Sequence, residues 1–191
     1  TRLLPATRSQ PKEMLPLVDK PVVQLVLEEL MRAGIRRALL VTGRRKRAIE
    51  DHFDAAPELG LPPLLDGLQI FYTRQADPAG LGDALRYGED FADGQEVVVA
   101  LGDAVIDAPP AKPGIVRRLS EAFRVNDAVA AIAVTEVAPE HVSRYGITVL
   151  DDELPGGAFD VREVIERPDH RSASSRIAVM GRYVLAPGAF S

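Results

Sequence analysis

Apolar residues recur at Val23, Val26, Leu27 and Leu30 within "PVVQLVLEELMRAGI", the i, i+3, i+4, i+7 spacing of a helix with one buried face. Pro21 suits its first turn and Gly34 its end. "RRALLVTG" then reads as a short buried strand, "RRKRAIEDHF" as a basic helix, "LQIFYTRQ" as a strand and "GLGDALRYGEDF" as a helix. "EVVVALGD" is a strand that runs apolar before meeting an acid. "PGIVRRLSEAFRVND" sets Ile115, Val116, Leu119 and Phe123 on one side of a helix, and "AVAAIAVTEV" is a further strand. Strands and helices alternating at these lengths, with strands apolar on both faces, predict an α/β fold with a parallel sheet covered by helices on both sides. After about Val137 the rhythm changes to "YGITVLD", "FDVREVIERP" and "RIAVMGRYVL", a mixed and partly antiparallel extension, with "DDELPGGAFD" as a turn between strands.

The segment before the first helix does not fit this alternation. "TRLLPATRSQPKEMLPLVDKP" carries Pro5, Pro11, Pro16 and Pro21, which fix φ and remove backbone donors, so it must run as an ordered loop held against the rest of the chain. Loops of that kind carry function. The chain has no initiator Met and opens inside this loop, so a preceding segment is expected.

Composition narrows the function classes. With 191 residues, 46% hydrophobic and 27% charged, the chain has the make-up of a globular protein with one core, and one domain is expected. A net charge of -5 argues against a general nucleic-acid binder, which needs a basic surface to displace counterions. The absence of cysteine excludes disulfides and cysteine-based catalysis, and the lack of a signal peptide or long apolar run fits a cytoplasmic protein without membrane contact.

In open α/β sheets ligands bind beyond the carboxyl ends of the strands, and the unusual segments "TRQADPAGLG" and "GDAVID" fall there. Asp103 closes "VVVALGD", a place that suits a carboxylate holding a hard cation such as Mg2+ and equally a turn aspartate. Lys12, braced between Pro11 and Glu13, is either a fixed charge for a phosphate or a solvated surface lysine, and Arg2 adds a second cation to the same loop. "GLGDA" from Gly80 places glycines at a strand-to-helix junction, where backbone can approach an anionic ligand. Gln75, five residues earlier, has an amide able to read a base. His52, His141 and His170 lack metal spacing and read as structural or surface residues, and "RRKR" at Arg44 to Arg47 reads as a solvated helix face.

Taken together, "TRLLPATRSQPKEMLPLVDKPVVQ" resembles the signature loop of the bacterial UTP:glucose-1-phosphate uridylyltransferases (UDP-glucose pyrophosphorylases) of the sugar-nucleotide pyrophosphorylase superfamily. "LVTG", "IEDHFD", "GLGDA", "GDAVID", "YGITVLD", "VIERPD" and "RIAVMGRYVL" follow in the family's order, so the resemblance covers nearly the whole chain. It implies a Rossmann-like, three-layer, mixed and mostly parallel sheet in a single domain spanning residues 1 to 191. The nucleotide part would be about 1 to 137 and the sugar part about 138 to 191. It also implies that Arg2 and Lys12 contact the triphosphate, Gln75 and Gly80 the base, and Asp103 the metal, Mg2+. Gly146, Glu166 and Arg167 would hold the sugar phosphate, with Val179 and Gly181 nearby.

The implied reaction forms UDP-glucose and pyrophosphate from UTP and glucose 1-phosphate, the sugar phosphate oxygen attacking the α-phosphorus in line without a covalent enzyme intermediate. The partners implied are these two substrates and further copies of the chain in a homo-oligomer. A thymidylyltransferase, another sugar specificity and a non-catalytic sugar-nucleotide sensor are the alternatives. Departures from the family pattern are Arg167 where lysine is usual, Asp83 where histidine is common, a short stretch from Asp54 to Leu68, and a stop at Ser191 ahead of the region where the superfamily has a second metal-binding aspartate. The glycines that normally precede Thr1, and the first strand, would belong to the preceding segment.

Overall fold

The structure, a computed structural model, describes residues 3–44, 46–54, 64–77, 79–107, 114–169 and 173–190. These form two compact units. One comprises Thr1–Gln95 with Gly102–Val105, and the other comprises Glu96–Leu101 with Ile106–Ala189.

In the first unit the proline-rich loop runs from Leu3 as turns and bends. Pro11, extended at φ -60° and ψ 144°, leads into a single 3-10 turn over Lys12–Met14. Two short antiparallel strands follow, β1 (Pro16–Leu17) and β2 (Lys20–Pro21), with Pro16 opposite Pro21. Strands of two residues tolerate proline because so few ladder bonds are needed. Helix α1 (Val22–Arg32) starts directly after Pro21 and buries Val23, Val26, Leu27 and Leu30, the four positions its periodicity marks. The chain then enters β3 (Arg37–Thr42), α2 (Arg47–Phe53) and β4 (Gln69–Arg74), and β3 and β4 pair in parallel with Arg37 opposite Gln69 and Thr42 opposite Arg74.

"GLGDALRYGEDF" forms two helical pieces rather than one. Helix α3 (Leu81–Arg86) stops where the Gly88 N–H turns back to the Leu85 carbonyl at 2.7 Å, and α4 (Glu89–Ala92) restarts beyond it. Glycine is among the weakest helix formers, and its place in mid-segment accounts for the break.

The second unit is built on an antiparallel sheet. It holds β5 (Val97–Ala100), α5 (Ile115–Val125), β6 (Ala130–Glu136), β7 (Gly146–Leu154), β8 (Ala158–Glu166) and β9 (Ile177–Leu185). The strand path is β5-β9-β7-β8, with β6 also paired to β9. Pro155, Gly156 and Gly157 turn β7 into β8, where the sequence places a turn. Helix α5 packs on β6 and β9, and Leu119 and Phe123 join Ala133 and Val184 in a buried cluster. Val142, Ile147 and Ala178 form a second cluster.

β9 is not a regular strand. Its register against β6 steps from Tyr183 opposite Ile132 to Val179 opposite Val134, so β9 carries two extra residues there. Gly181 lies inside that bulge at φ +71°, a left-handed conformation that L side chains rarely adopt. A Cβ at this position would also come within 3.0 Å of Leu101 Cδ1.

The fold is therefore α/β, and the mixed character of the sheet agrees with expectation. A parallel majority is not seen, because β3–β4 is the one parallel pairing among the described residues and every other strand pairing is antiparallel. β6 shows why the sequence misleads: its apolar run suits a parallel strand, but its one buried residue, Ala133, joins Leu119 and Phe123 of α5, and the strand pairs antiparallel to β9. No helix among the described residues is long and apolar enough to cross a membrane.

One consequence for stability is testable. His52 Nε2 lies 3.0 Å from Gln24 Oε1, and burial holds the imidazole below its ordinary value of 6.5. The unfolded chain therefore takes up a proton that the folded chain resists, so stability falls as pH drops below about 6.5. The melting temperature of His52→Gln is expected to fall less than that of the parent between about pH 7.5 and 5.5. Equal falls would assign the acid sensitivity to other groups.

Candidate active site

In the first unit two predicted site residues, 91 positions apart, meet directly: the Lys12 ammonium donates to Asp103 Oδ2. Lys12 opens the 3-10 turn behind Pro11, so its backbone is set by the loop, while Asp103 occupies a turn just after Gly102. Both side chains are part-exposed, 48% for Lys12 and 38% for Asp103, so the pair is open to a ligand. At such exposure an ion pair contributes about 0–1 kcal/mol, too little to make stability its main role.

The loop is held from beneath by the neighbouring acid. Glu13 is buried, and its Oε1 accepts from Lys46 Nζ at 2.7 Å, while Oε2 is buried with no hydrogen-bond partner among the described residues. Gly102 lies against Glu13, since a Cβ there would sit 3.6 Å from Glu13 Cγ. The sequence reading missed this support. "RRKR" is not wholly a solvated face, because Lys46 turns inward to a buried carboxylate. The signal available was Glu13 itself, an acid between a cation and two apolar residues in a rigid loop.

Gln75 and Gly80 also come together. The Gln75 backbone N–H donates to the Thr42 carbonyl at 2.8 Å, which fixes the residue at the end of β4. Its buried side-chain amide donates to the Gly80 carbonyl at 3.4 Å and to Asp83 Oδ2. Gly80 has φ 100° and ψ -176°, a region open essentially to glycine alone, and it begins α3. Arg2 lies outside the described residues, as does His170.

The sugar-phosphate candidates lie in the second unit, where Gly146, Glu166 and Val179 are neighbours. Gly146 opens β7 opposite Glu166, and a Cβ on it would lie 3.3 Å from Glu166 Oε2 and 3.7 Å from Val179 Cγ2. Arg167 follows at φ 48°, its N–H bonded to the Tyr145 carbonyl at 3.0 Å and its Nε 3.2 Å from Glu166 Oε1. A non-glycine residue held in this region costs energy that the surroundings must offset, and such residues gather at functional sites. Gly181 is the bulge residue of β9, so its conformation has a structural cause of its own. Tyr183, absent from the sequence reading, is held protonated above its usual value by burial and then by Glu166. His141, with a buried and unpartnered Nδ1, sits in the 3-10 segment Pro139–Arg144 and has a structural place.

A metal can be tested against these groups. No cluster of three or more histidine, cysteine, aspartate or glutamate side chains suited to a metal exists among the described residues. Asp103 offers one hard carboxylate, paired with Lys12. That donor set fits Mg2+ held by a single carboxylate with substrate phosphates supplying further oxygens, and does not fit an all-protein cage.

Known proteins resemble this chain along its full length. The nucleotidyl transferase family model matches residues 1–191. The UTP–glucose-1-phosphate uridylyltransferase YngB of Bacillus subtilis is 40% identical over 206 aligned residues, covering 100% of this chain and 67% of the relative. A UDP-glucose pyrophosphorylase solved with UDP-glucose superposes with a TM-score of 0.87 at 34% identity, over 99% of this chain and 73% of that one. The UTP-bound enzyme of Acinetobacter baumannii superposes with a TM-score of 0.84 at 28% identity, over 97% and 70% respectively. On this match over residues 1–191, and on 40% identity to a relative covered over two thirds of its length, the chain belongs to the nucleotidyl transferase family.

Proposed function

We propose that the chain is a uridylyltransferase that forms UDP-glucose and pyrophosphate from UTP and glucose 1-phosphate. The observation that carries this is the Lys12–Asp103 contact, which joins the loop cation to the strand-end carboxylate with both groups still open to solvent. The names of the relatives point to the same reaction. A phosphate oxygen of glucose 1-phosphate attacks the α-phosphorus of UTP, the bond from that phosphorus to the bridging oxygen breaks, and pyrophosphate leaves with the electron pair. Catalysis of this kind is positioning and charge stabilisation, so no side-chain nucleophile is needed.

In this reading Lys12 and Arg2 bear on the triphosphate, and Gln75 and Gly80 take the base. Gly146, Glu166, Arg167, Val179 and Gly181 serve the sugar phosphate. Asp103 would hold Mg2+, which when bound supplies positive charge against the phosphate oxygens. Residues of about 1–137 serve the nucleotide and about 138–191 the sugar in a single Rossmann-like domain. The parallel β3–β4 pair supports the parallel part of that fold. A cytoplasmic homo-oligomer completes the proposal.

A coupled pyrophosphate assay over a panel of nucleotides and sugar phosphates tests it. Release should be greatest with UTP and glucose 1-phosphate. A greater rate with dTTP would favour thymidylyl transfer, and no release with any pair would favour a sensor.

Arg167 gives a second test. A guanidinium binds phosphate oxygens as a fork and an ammonium as a point charge, so a pocket adapted to Arg167 should work less well with lysine. Arg167→Lys is expected to lower kcat/KM for glucose 1-phosphate by about tenfold, an effect of misplacement well within the range known for small shifts. A tenfold gain would mean that the native residue weakens the enzyme.

A further inference from the structure

We infer that Asp83 is a specificity-determining positioning residue, which locks the Gln75 amide so that it presents only a hydrogen-bond acceptor to the base. The inference rests on the reading of Gln75 as the base-contacting residue.

A glutamine amide has a carbonyl oxygen that accepts and an NH2 that donates, and rotation by half a turn exchanges them. Left alone, such a group reads a donor or an acceptor equally well. In this chain the amide is not left alone. Gln75 Nε2 faces two acceptors, the Gly80 carbonyl at 3.4 Å and a carboxylate oxygen of Asp83. An ionised carboxylate has no proton to give, so turning the Gln75 oxygen toward it would set two acceptors against each other in a buried place. The rotamer with NH2 toward Asp83 is therefore enforced. Among the described residues no donor is seated on Gln75 Oε1, so that oxygen is what remains for a ligand.

The supporting backbone is rigid at each point. Gln75 is pinned to Thr42 by its own N–H, Gly80 occupies a conformation reserved for glycine, and Asp83 lies in the first turn of the helix that Gly80 begins. An acceptor held in this way selects a base with an N–H on its pairing edge. Uracil and thymine carry that proton on N3, whereas N3 of cytosine is itself an acceptor. Asp83 thus acts against cytosine without touching it, by leaving an unpaired acceptor pair as the penalty for the wrong base.

The experiment is calorimetric binding of UTP and CTP to the parent, Asp83→Ala, Asp83→Asn and Gln75→Ala proteins, with melting temperatures recorded for each. The UTP:CTP affinity ratio should fall by about tenfold in Asp83→Ala, because the freed amide can turn its NH2 to cytosine. Asp83→Asn, whose amide can accept from or donate to Gln75 in either orientation, removes the enforcement and should lower the ratio as well, by about threefold or more. A merely structural role would shift the melting temperature and leave the ratio alone, and that result would overturn the inference. Unchanged UTP affinity in Gln75→Ala would instead overturn the reading on which it rests. Weakened UTP binding there, together with an intact ratio in Asp83→Ala, would sink the role of Asp83 alone.

Discussion

Replacement of Asp103 by asparagine is expected to lower kcat by about 1,000-fold or more while the melting temperature stays within a few degrees of the parent. The two halves of this expectation have separate origins. Asp103 is part-exposed and its one ion pair among the described residues is with Lys12, so loss of its charge removes an interaction worth about 0–1 kcal/mol to folding. The same charge is the hard oxygen donor proposed for Mg2+, and the charge stabilisation a metal provides is worth several kcal/mol, or about three powers of ten in rate. Steady-state kinetics at saturating Mg2+, run beside thermal unfolding, checks both. Near-normal activity would take Asp103 out of the site, and a collapsed melting temperature would make it a structural turn residue.

Lys12→Ala should lower kcat by about 100-fold and raise the KM for UTP by less than about fivefold. The reasoning turns on when the charge is needed. In the resting protein the Lys12 ammonium is already paired with Asp103 before substrate arrives. The negative charge that builds on the α-phosphate and the leaving pyrophosphate in the transition state is new, and only interactions strengthened there raise kcat. A variant with unchanged kcat and a large rise in KM would show that Lys12 serves ground-state binding instead. Little change in stability is expected, since Pro11 and the pair of buried Glu13 with Lys46 hold the turn without the Lys12 side chain.

Much of the fold was legible because periodicity is a local property. The burial of Val23, Val26, Leu27 and Leu30 on α1, and of Val116, Leu119 and Phe123 on α5, follows from spacing alone. Strand direction was not legible, because an apolar run shows burial on both faces and is silent about which neighbour provides it. β6 and β5 look parallel from their composition, and both pair antiparallel to β9. The site divides in the same way. Lys12, Gln75, Gly80 and Asp103 could be selected from residue type and place in the chain, but the Lys12–Asp103 contact spans 91 positions and needs the folded chain to be seen. Glu13 and Lys46 were overlooked for a related reason. A glutamate and a lysine are ordinarily surface residues, and the burial of Glu13, which lies against Gly102 and pairs with a half-buried Lys46, follows from packing across the fold and not from any local pattern.

β9 has a further significance when the chain is considered in the order of its synthesis. Among the described residues β5 and β6 each find their strand partner in β9 and in no other strand, although both emerge from the ribosome well before it. A nascent chain complete only to Arg176 therefore holds the β7–β8 hairpin, while β5 and β6 still lack the one strand that pairs with them among the described residues. Closure of these long sequence intervals is slow, and unpaired edges invite pairing with other chains. β9 thus joins β5, β6 and the β7–β8 hairpin late in synthesis, and exposure of those strand edges lasts until Ile177 to Leu185 has left the ribosome.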